Sequence, residues 1–219
     1  MKITLKDGSV KEYESATTAA EITKDISMGL YRNACCCRIN GAVKDLRTVV
    51  DSDCEFEVLT FDEEDGKKAF NHTASHVMAQ AVKRLYPDTK LTIGPAIENG
   101  FYYDFDVETP FGPEDLEKIE KEMKKIIKEN YPIEKFELPV DEAIKLMQDK
   151  GEPYKIELIN EHAGKGEAIS FYKQGEFTEL CAGPHIPEMK VIKAFKLTKC
   201  TGAYWRGDAK NKTLCRVYG

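Results

Sequence analysis

The chain has 219 residues, 42% apolar and 32% charged, which is enough for a packed core and too apolar for a disordered chain. A formal net charge of -6, from 32 Lys and Arg against 38 Asp and Glu, excludes a generally basic nucleic-acid coat protein but not a local basic patch. No apolar run approaches the roughly 20 residues of a membrane helix and MKITLKDGSV has no signal-peptide core, so neither a membrane nor a secreted protein is expected.

The 7 Cys are odd in number and contain no C-x-x-C pair. That pattern fits the cytoplasm and excludes a zinc ribbon or a thioredoxin-type site. Cys35, Cys36 and Cys37 read as small apolar residues of a half-buried strand. Around them, Ile3 and Leu5 alternate with polar neighbours, Asp7-Gly8 makes a hairpin turn, and Val10 and Tyr13 continue a second strand. Thr17 and Thr18 precede a helix from Ala19 to about Leu30, with Ile22 and Ile26 one turn apart. Strands follow at Cys35–Ile39, at Ala42–Leu46 after the Asn40-Gly41 turn, and at Cys54–Thr60. One helix across a small sheet accounts for this order. The D-G-S turn and the R-I-N-G-x-x-x-D-L run resemble a TGS domain, a ubiquitin-like β-grasp module; another kind of β-grasp domain fits the same pattern. No His occurs in this segment.

Residues 61–66, acidic and ending in Gly, read as an exposed connection between two independent cores. Domains are therefore expected at 1–61 and 62–219. Residues 67–86 then carry Phe70, Ala74, Val77, Met78, Ala81, Val82 and Leu85 at helical steps, until Pro87 stops the helix. His72 and His76 fall together on the opposite face. H-x-x-x-H is by itself a common accident of surface helices, although zinc sites and acid–base pairs use it too. Cys181-Ala182-Gly183-Pro184-His185 supplies a second pair with the same spacing, on a loop. The four side chains fit a tetrahedral zinc set and, equally, a metal-free hydrolytic site. His162, with no matching spacing, reads as a solvated bystander.

Between the two pairs, residues 93–103 hold short apolar runs and turns, and helices are expected at Glu114 to about Glu129 and at Asp141–Lys150. From Lys155 onward strands and turns predominate, giving an α+β domain whose antiparallel sheet is covered by helices. Residues 187–219 carry eight Lys and Arg against two acids, with Tyr204, Trp205 and Arg206 among them. This is either a basic strand pair for RNA backbone and base stacking or a solvated hairpin with a core Trp.

The runs N-H-T-A-S-H-V-M-A-Q-A-V-K-R-L, I-G-P-A-I-E-N-G-F-Y-Y-D-F-D and E-L-C-A-G-P-H-I-P resemble, in that order, the editing domain of threonyl-tRNA synthetases, which also share the two pairs with alanyl-tRNA synthetases and free-standing alanyl-tRNA deacylases. Behind a TGS-like head, the resemblance covers essentially the whole chain. It implies hydrolysis of tRNA(Thr) mischarged with serine at the tRNA acceptor end. His72 would orient or activate water, Lys155 would hold the terminal ribose or the water, and His76, Cys181 and His185 would complete the pocket. Tyr103 and Glu179 would contact the serine or the terminal adenosine. Glu179 stands where the family commonly carries Asp, so its carboxylate reaches one methylene further. The alanyl relatives hold zinc on the four ligands, whereas the threonyl branch implies no cofactor here. Without an R-x-E segment for ATP or a second set of zinc ligands, ATP, zinc and a homodimer interface are expected only of a catalytic core outside this sequence. Two other readings remain: a non-catalytic tRNA-binding TGS adaptor, and a zinc-dependent alanyl-tRNA deacylase.

Overall fold

The computed structural model describes residues 1–219. The N-terminal unit holds β1 (Lys2–Leu5), β2 (Val10–Glu12), β3 (Thr17–Thr18), α1 (Ala19–Ile26), α2 (Met28–Tyr31), β4 (Ala34–Ile39), β5 (Ala42–Lys44), β6 (Val49–Val50) and β7 (Cys54–Thr60). The sheet order is β2-β1-β7-β4-β5, and β1 and β7 pair in parallel. That pairing requires the intervening chain to cross over, and α1 does so. This is the β-grasp arrangement. The long helix expected over 19–30 breaks at Ser27, whose hydroxyl accepts from the N–H groups of Gly29 and Leu30 and so starts a second helix.

The sheet is buried on both faces. Ile3, Ala34, Cys37 and Phe56 of the sheet pack against Ala19 and Ile22 of α1. Cys35, Cys36 and Leu59 belong instead to the large core of the following unit, with Ala74, Val77 and Met78. Two consecutive cysteines can serve one face because the register shifts between Ala34 and Cys36, as at a β-bulge. All three cysteines are fully buried, not half-buried. The expectation of independent cores therefore fails. The two sheets are separate, but the second face of the first sheet is covered by the next helix. Leu59→Ala should cost about 2–5 kcal/mol, as for other buried large-to-small changes. Urea unfolding checks this, and a loss under about 1 kcal/mol would mean that face is not part of the shared core.

That next helix is α3 (Glu64–Leu85). It begins three residues earlier than its periodicity predicts, because its first turn carries the acids Glu64 and Asp65 in place of apolar residues, and the Glu63 carboxylate accepts from the Thr60 N–H and hydroxyl at 2.7 and 2.9 Å. It is not amphipathic: every residue from Thr73 to Val82 is buried. Around it lie β8 (Lys90–Leu91), β9 (Ala96–Ile97), β10 (Gly100–Asp106), α4 (Pro113–Glu129), β11 (Ile133–Glu137), α5 (Val140–Asp149), α6 (Pro153–Gly164), β12 (Ser170–Gln174), β13 (Phe177–Leu180), β14 (Lys199–Tyr204) and β15 (Thr213–Tyr218). The antiparallel structure forms two sheets, β14-β15-β10-β8 and β11-β12-β13. With the covering helices this is α+β architecture. No helix is long and apolar enough to cross a membrane.

Several expectations for the C-terminal half change. Lys155 sits in a helix, α6, where strands and turns were expected; Pro153 occupies its first turn, a start signal the weak apolar periodicity obscures. Trp205 is buried, its ring centroid 5.0 Å from that of Tyr154, and Arg206 pairs with Glu157 at 2.7 Å. Trp205 is thus core and unavailable for base stacking. The basic segment is also largely paired, Lys196 with Glu120, Lys212 with Asp106 and Arg216 with Asp104. Cys200 on β14 and Cys215 on β15 lie side by side, with Cα atoms 6.4 Å apart.

Candidate active site

His72 and His76 lie one turn apart on α3, so their rings project the same way, with centroids 4.9 Å apart. Cys181 follows β13 directly, and His185 follows the cis Gly183-Pro184 bond. At Gly183, φ is +77° and an added Cβ would lie 2.1 Å from the Tyr172 hydroxyl, so only glycine passes there. The loop folds back so that the Gly183 N–H donates to Cys181 Sγ at 3.2 Å. Cys181 Sγ then lies 3.4 Å from His72 Nε2 and 3.3 Å from His185 Nε2. One potential ligand atom from each of the four residues lies within 4.8 Å of all the others. The two sequence pairs therefore converge.

The donor set suits zinc chemically. Zinc–nitrogen and zinc–sulfur bonds of roughly 2.0–2.3 Å place tetrahedral ligands about 3.3–3.8 Å apart. The two sulfur–nitrogen separations meet that range, and the widest spacing exceeds it by about an ångström. His185 Nδ1 lies 3.0 Å from the Thr73 hydroxyl, an outer partner that leaves Nε2 facing the cluster. Without an ion, burial pushes His72 down to about 4, His76 and His185 well below their ordinary range, and the Cys181 thiol up to about 12. Three neutral imidazoles and a protonated thiol result.

Beside the cluster is a second group. Lys155, only 4% exposed, pairs its ammonium with Glu179 and donates to the Thr92 carbonyl at 2.5 Å. Glu179 Oε2 accepts from the Tyr103 hydroxyl at 2.8 Å. Burial pushes the Glu179 carboxyl up while the Lys155 ammonium opposes that shift. Tyr103 packs so closely on Gly94 that a Cβ there would lie 2.1 Å from its ring. A cavity of about 560 Å³ is lined by His72, His76, Tyr103, Lys155, Glu179 and Cys181. His185, 1% exposed, is not in its lining and sits behind Cys181. Sequence reasoning missed Thr73, although it lies inside the N-H-T-A-S-H run. It also set aside His162, which contacts Glu167 and lines the same cavity.

Residues 1–60 match the TGS domain family, and residues 169–218 match the family described as the threonyl and alanyl tRNA synthetase second additional domain. Over all 219 residues the chain is 62% identical to a threonine–tRNA ligase of Acetivibrio thermocellus. It is 61% identical to one of Clostridium perfringens and 54% identical to one of Clostridioides difficile. The chain is therefore homologous along its whole length to threonine–tRNA ligases, and spans about a third of theirs, 34%.

Proposed function

We propose that this homologue of threonine–tRNA ligases is the editing part of such an enzyme and hydrolyses the ester of serine mischarged onto tRNA(Thr). The observation that carries the reading is the convergence of His72, His76, Cys181 and His185 beside a cavity walled by Lys155, Glu179 and Tyr103. In this reading residues 1–61 are the TGS domain and residues 62–219 the editing domain. Threonine and serine differ by one methyl, worth about 1–3 kcal/mol in a pocket, too little for accurate translation. A second site that admits the smaller product supplies the missing discrimination.

His72 lines the cavity as a neutral imidazole and accepts the proton of the attacking water. The Lys155 ammonium, held by Glu179, stabilises charge developing on the ester oxygen or orients the terminal ribose. Tyr103 fixes the Glu179 carboxylate from the other side. Cys181 shapes the cavity wall, and His185 positions Cys181 from behind. Zinc held by all four residues would have a closed tetrahedral shell, and would supply Lewis-acid polarisation of a water or carbonyl only at a position that one of the four left open. In a protein as long as the relatives, ATP-dependent ligation of threonine, a further zinc site and homodimerisation would belong to the additional length, with cytoplasmic localisation.

Incubation of the chain with Ser-tRNA(Thr) and Thr-tRNA(Thr) tests the reading. Release of serine with threonine retained is the expected result. Tight tRNA binding without release would identify an adaptor, and release of alanine from Ala-tRNA in preference to serine would identify an alanyl-type deacylase. Metal content is a separate check. If the cluster takes zinc, zinc at 100 times its dissociation constant should stabilise the fold by about 2.7 kcal/mol. A melting temperature unmoved by zinc or chelator would leave the metal-free chemistry.

A further inference from the structure

The loop that delivers Cys181 and His185 has no strand or helix of its own, so its backbone polar groups need partners elsewhere. Many of those partners come from the N-terminal unit, about 140 positions away. Asp45 and Arg47 lie in the turn between β5 and β6, Asp45 inside the R-I-N-G-x-x-x-D-L run. The Arg47 guanidinium donates to the carbonyls of His185 at 3.3 Å, Ile186 at 2.9 Å and Pro187 at 3.2 Å, and also to that of Ile133. Asp45 is 6% exposed, and each of its oxygens has two partners. Oδ1 takes the Arg47 backbone N–H at 2.9 Å and the guanidinium at 2.7 Å. Oδ2 takes the Tyr172 hydroxyl at 2.9 Å and the His185 backbone N–H at 3.2 Å. The Tyr172 ring in turn lies with its centroid 4.4 Å from that of His185.

We propose that Asp45 and Arg47 are positioning residues of the hydrolytic site, so that the TGS unit sets the geometry of the loop carrying Cys181 and His185 in addition to any contact it makes with tRNA. The proposal rests on the editing reading for its rate measurement. An arginine suits the task because its planar fork reaches several carbonyls at once, which a lysine cannot do. Asp45 fixes the guanidinium and the His185 amide together, and Thr73 fixes the His185 side chain. Loss of either Asp45 or Arg47 frees backbone groups of the loop without removing any cavity-lining side chain.

The test uses the 219-residue chain with Arg47→Ala, Arg47→Lys and Asp45→Asn. Outer-shell partners of this kind typically contribute 10–100-fold to activity. The kcat of Ser-tRNA(Thr) hydrolysis should therefore fall about 10–100-fold in Arg47→Ala with KM little changed, and Arg47→Lys should be intermediate. Millimolar guanidinium should restore part of the Arg47→Ala rate, which a general loss of stability would not allow. Independently of activity, a released loop should expose Cys181, raising its alkylation by iodoacetamide about tenfold or more, read by peptide mass spectrometry. Parent-like kcat and alkylation in folded Arg47→Ala and Asp45→Asn would overturn the proposal. A rate loss that only follows the melting temperature and resists guanidinium would do so as well. If the parent chain releases no serine, the editing reading fails, and the alkylation result still decides the positioning claim.

Discussion

Folded His72→Ala should hydrolyse Ser-tRNA(Thr) about 10²–10⁴-fold more slowly than the parent, the usual range for removing a general base. His72 is the imidazole best placed for this role: it lines the cavity and is half-buried, whereas His76 is 4% exposed and His185 lies behind the wall. Its Nε2 faces Cys181 Sγ at 3.4 Å, so its orientation is set by the loop it opposes. Binding of the tRNA should change little, since phosphate contacts supply most of such affinity. The melting temperature must be recorded beside the rate, because the ring also packs on His76 and His185. A stable variant with the parent rate would end the claim that this imidazole is catalytic.

Lys155→Met should have a double effect. Removing one partner of a buried ion pair leaves the other charge uncompensated and typically costs about 3–5 kcal/mol. Glu179, 2% exposed, would keep only the Tyr103 hydroxyl. The rate should also fall by roughly 10²-fold or more if the ammonium stabilises a developing oxyanion. The double variant Lys155→Met, Glu179→Gln separates the two effects. It removes the orphaned charge, so urea unfolding should show most of the stability regained while serine release stays slow. Recovery of the rate along with stability would make Lys155 purely structural.

The contribution of the sequence was uneven for identifiable reasons. Turn chemistry at Asp7-Gly8 and Asn40-Gly41, the stop at Pro87, and the charged α4 with its buried Ile119, Met123 and Ile126 are local signals, and they placed their elements within a few residues. Helix α6 escaped because its inward residues do not form a clear stripe. Trp205 could be read either way because its partners, Tyr154 and Glu157, are about fifty residues distant. A separation of 112 residues likewise hides the Arg216–Asp104 ion pair, so a basic count over a segment says little about free charge.

By itself the sequence singled out the side chains proposed here to do chemistry. The i, i+4 spacing of His72 and His76 follows from helix geometry, and the Gly-Pro in Cys181–His185 from the turn it must make. Both are properties of a few adjacent residues. Only the tertiary structure decided that α3 is buried all round from Thr73 to Val82, that the TGS sheet shares its core, and that Asp45 and Arg47 hold the Cys181–His185 loop. Those outcomes depend on which surfaces meet. A buried Asp or a loop-gripping Arg has the same one-letter neighbourhood as one in solvent, and becomes a partner only when the packed chain removes water from around it.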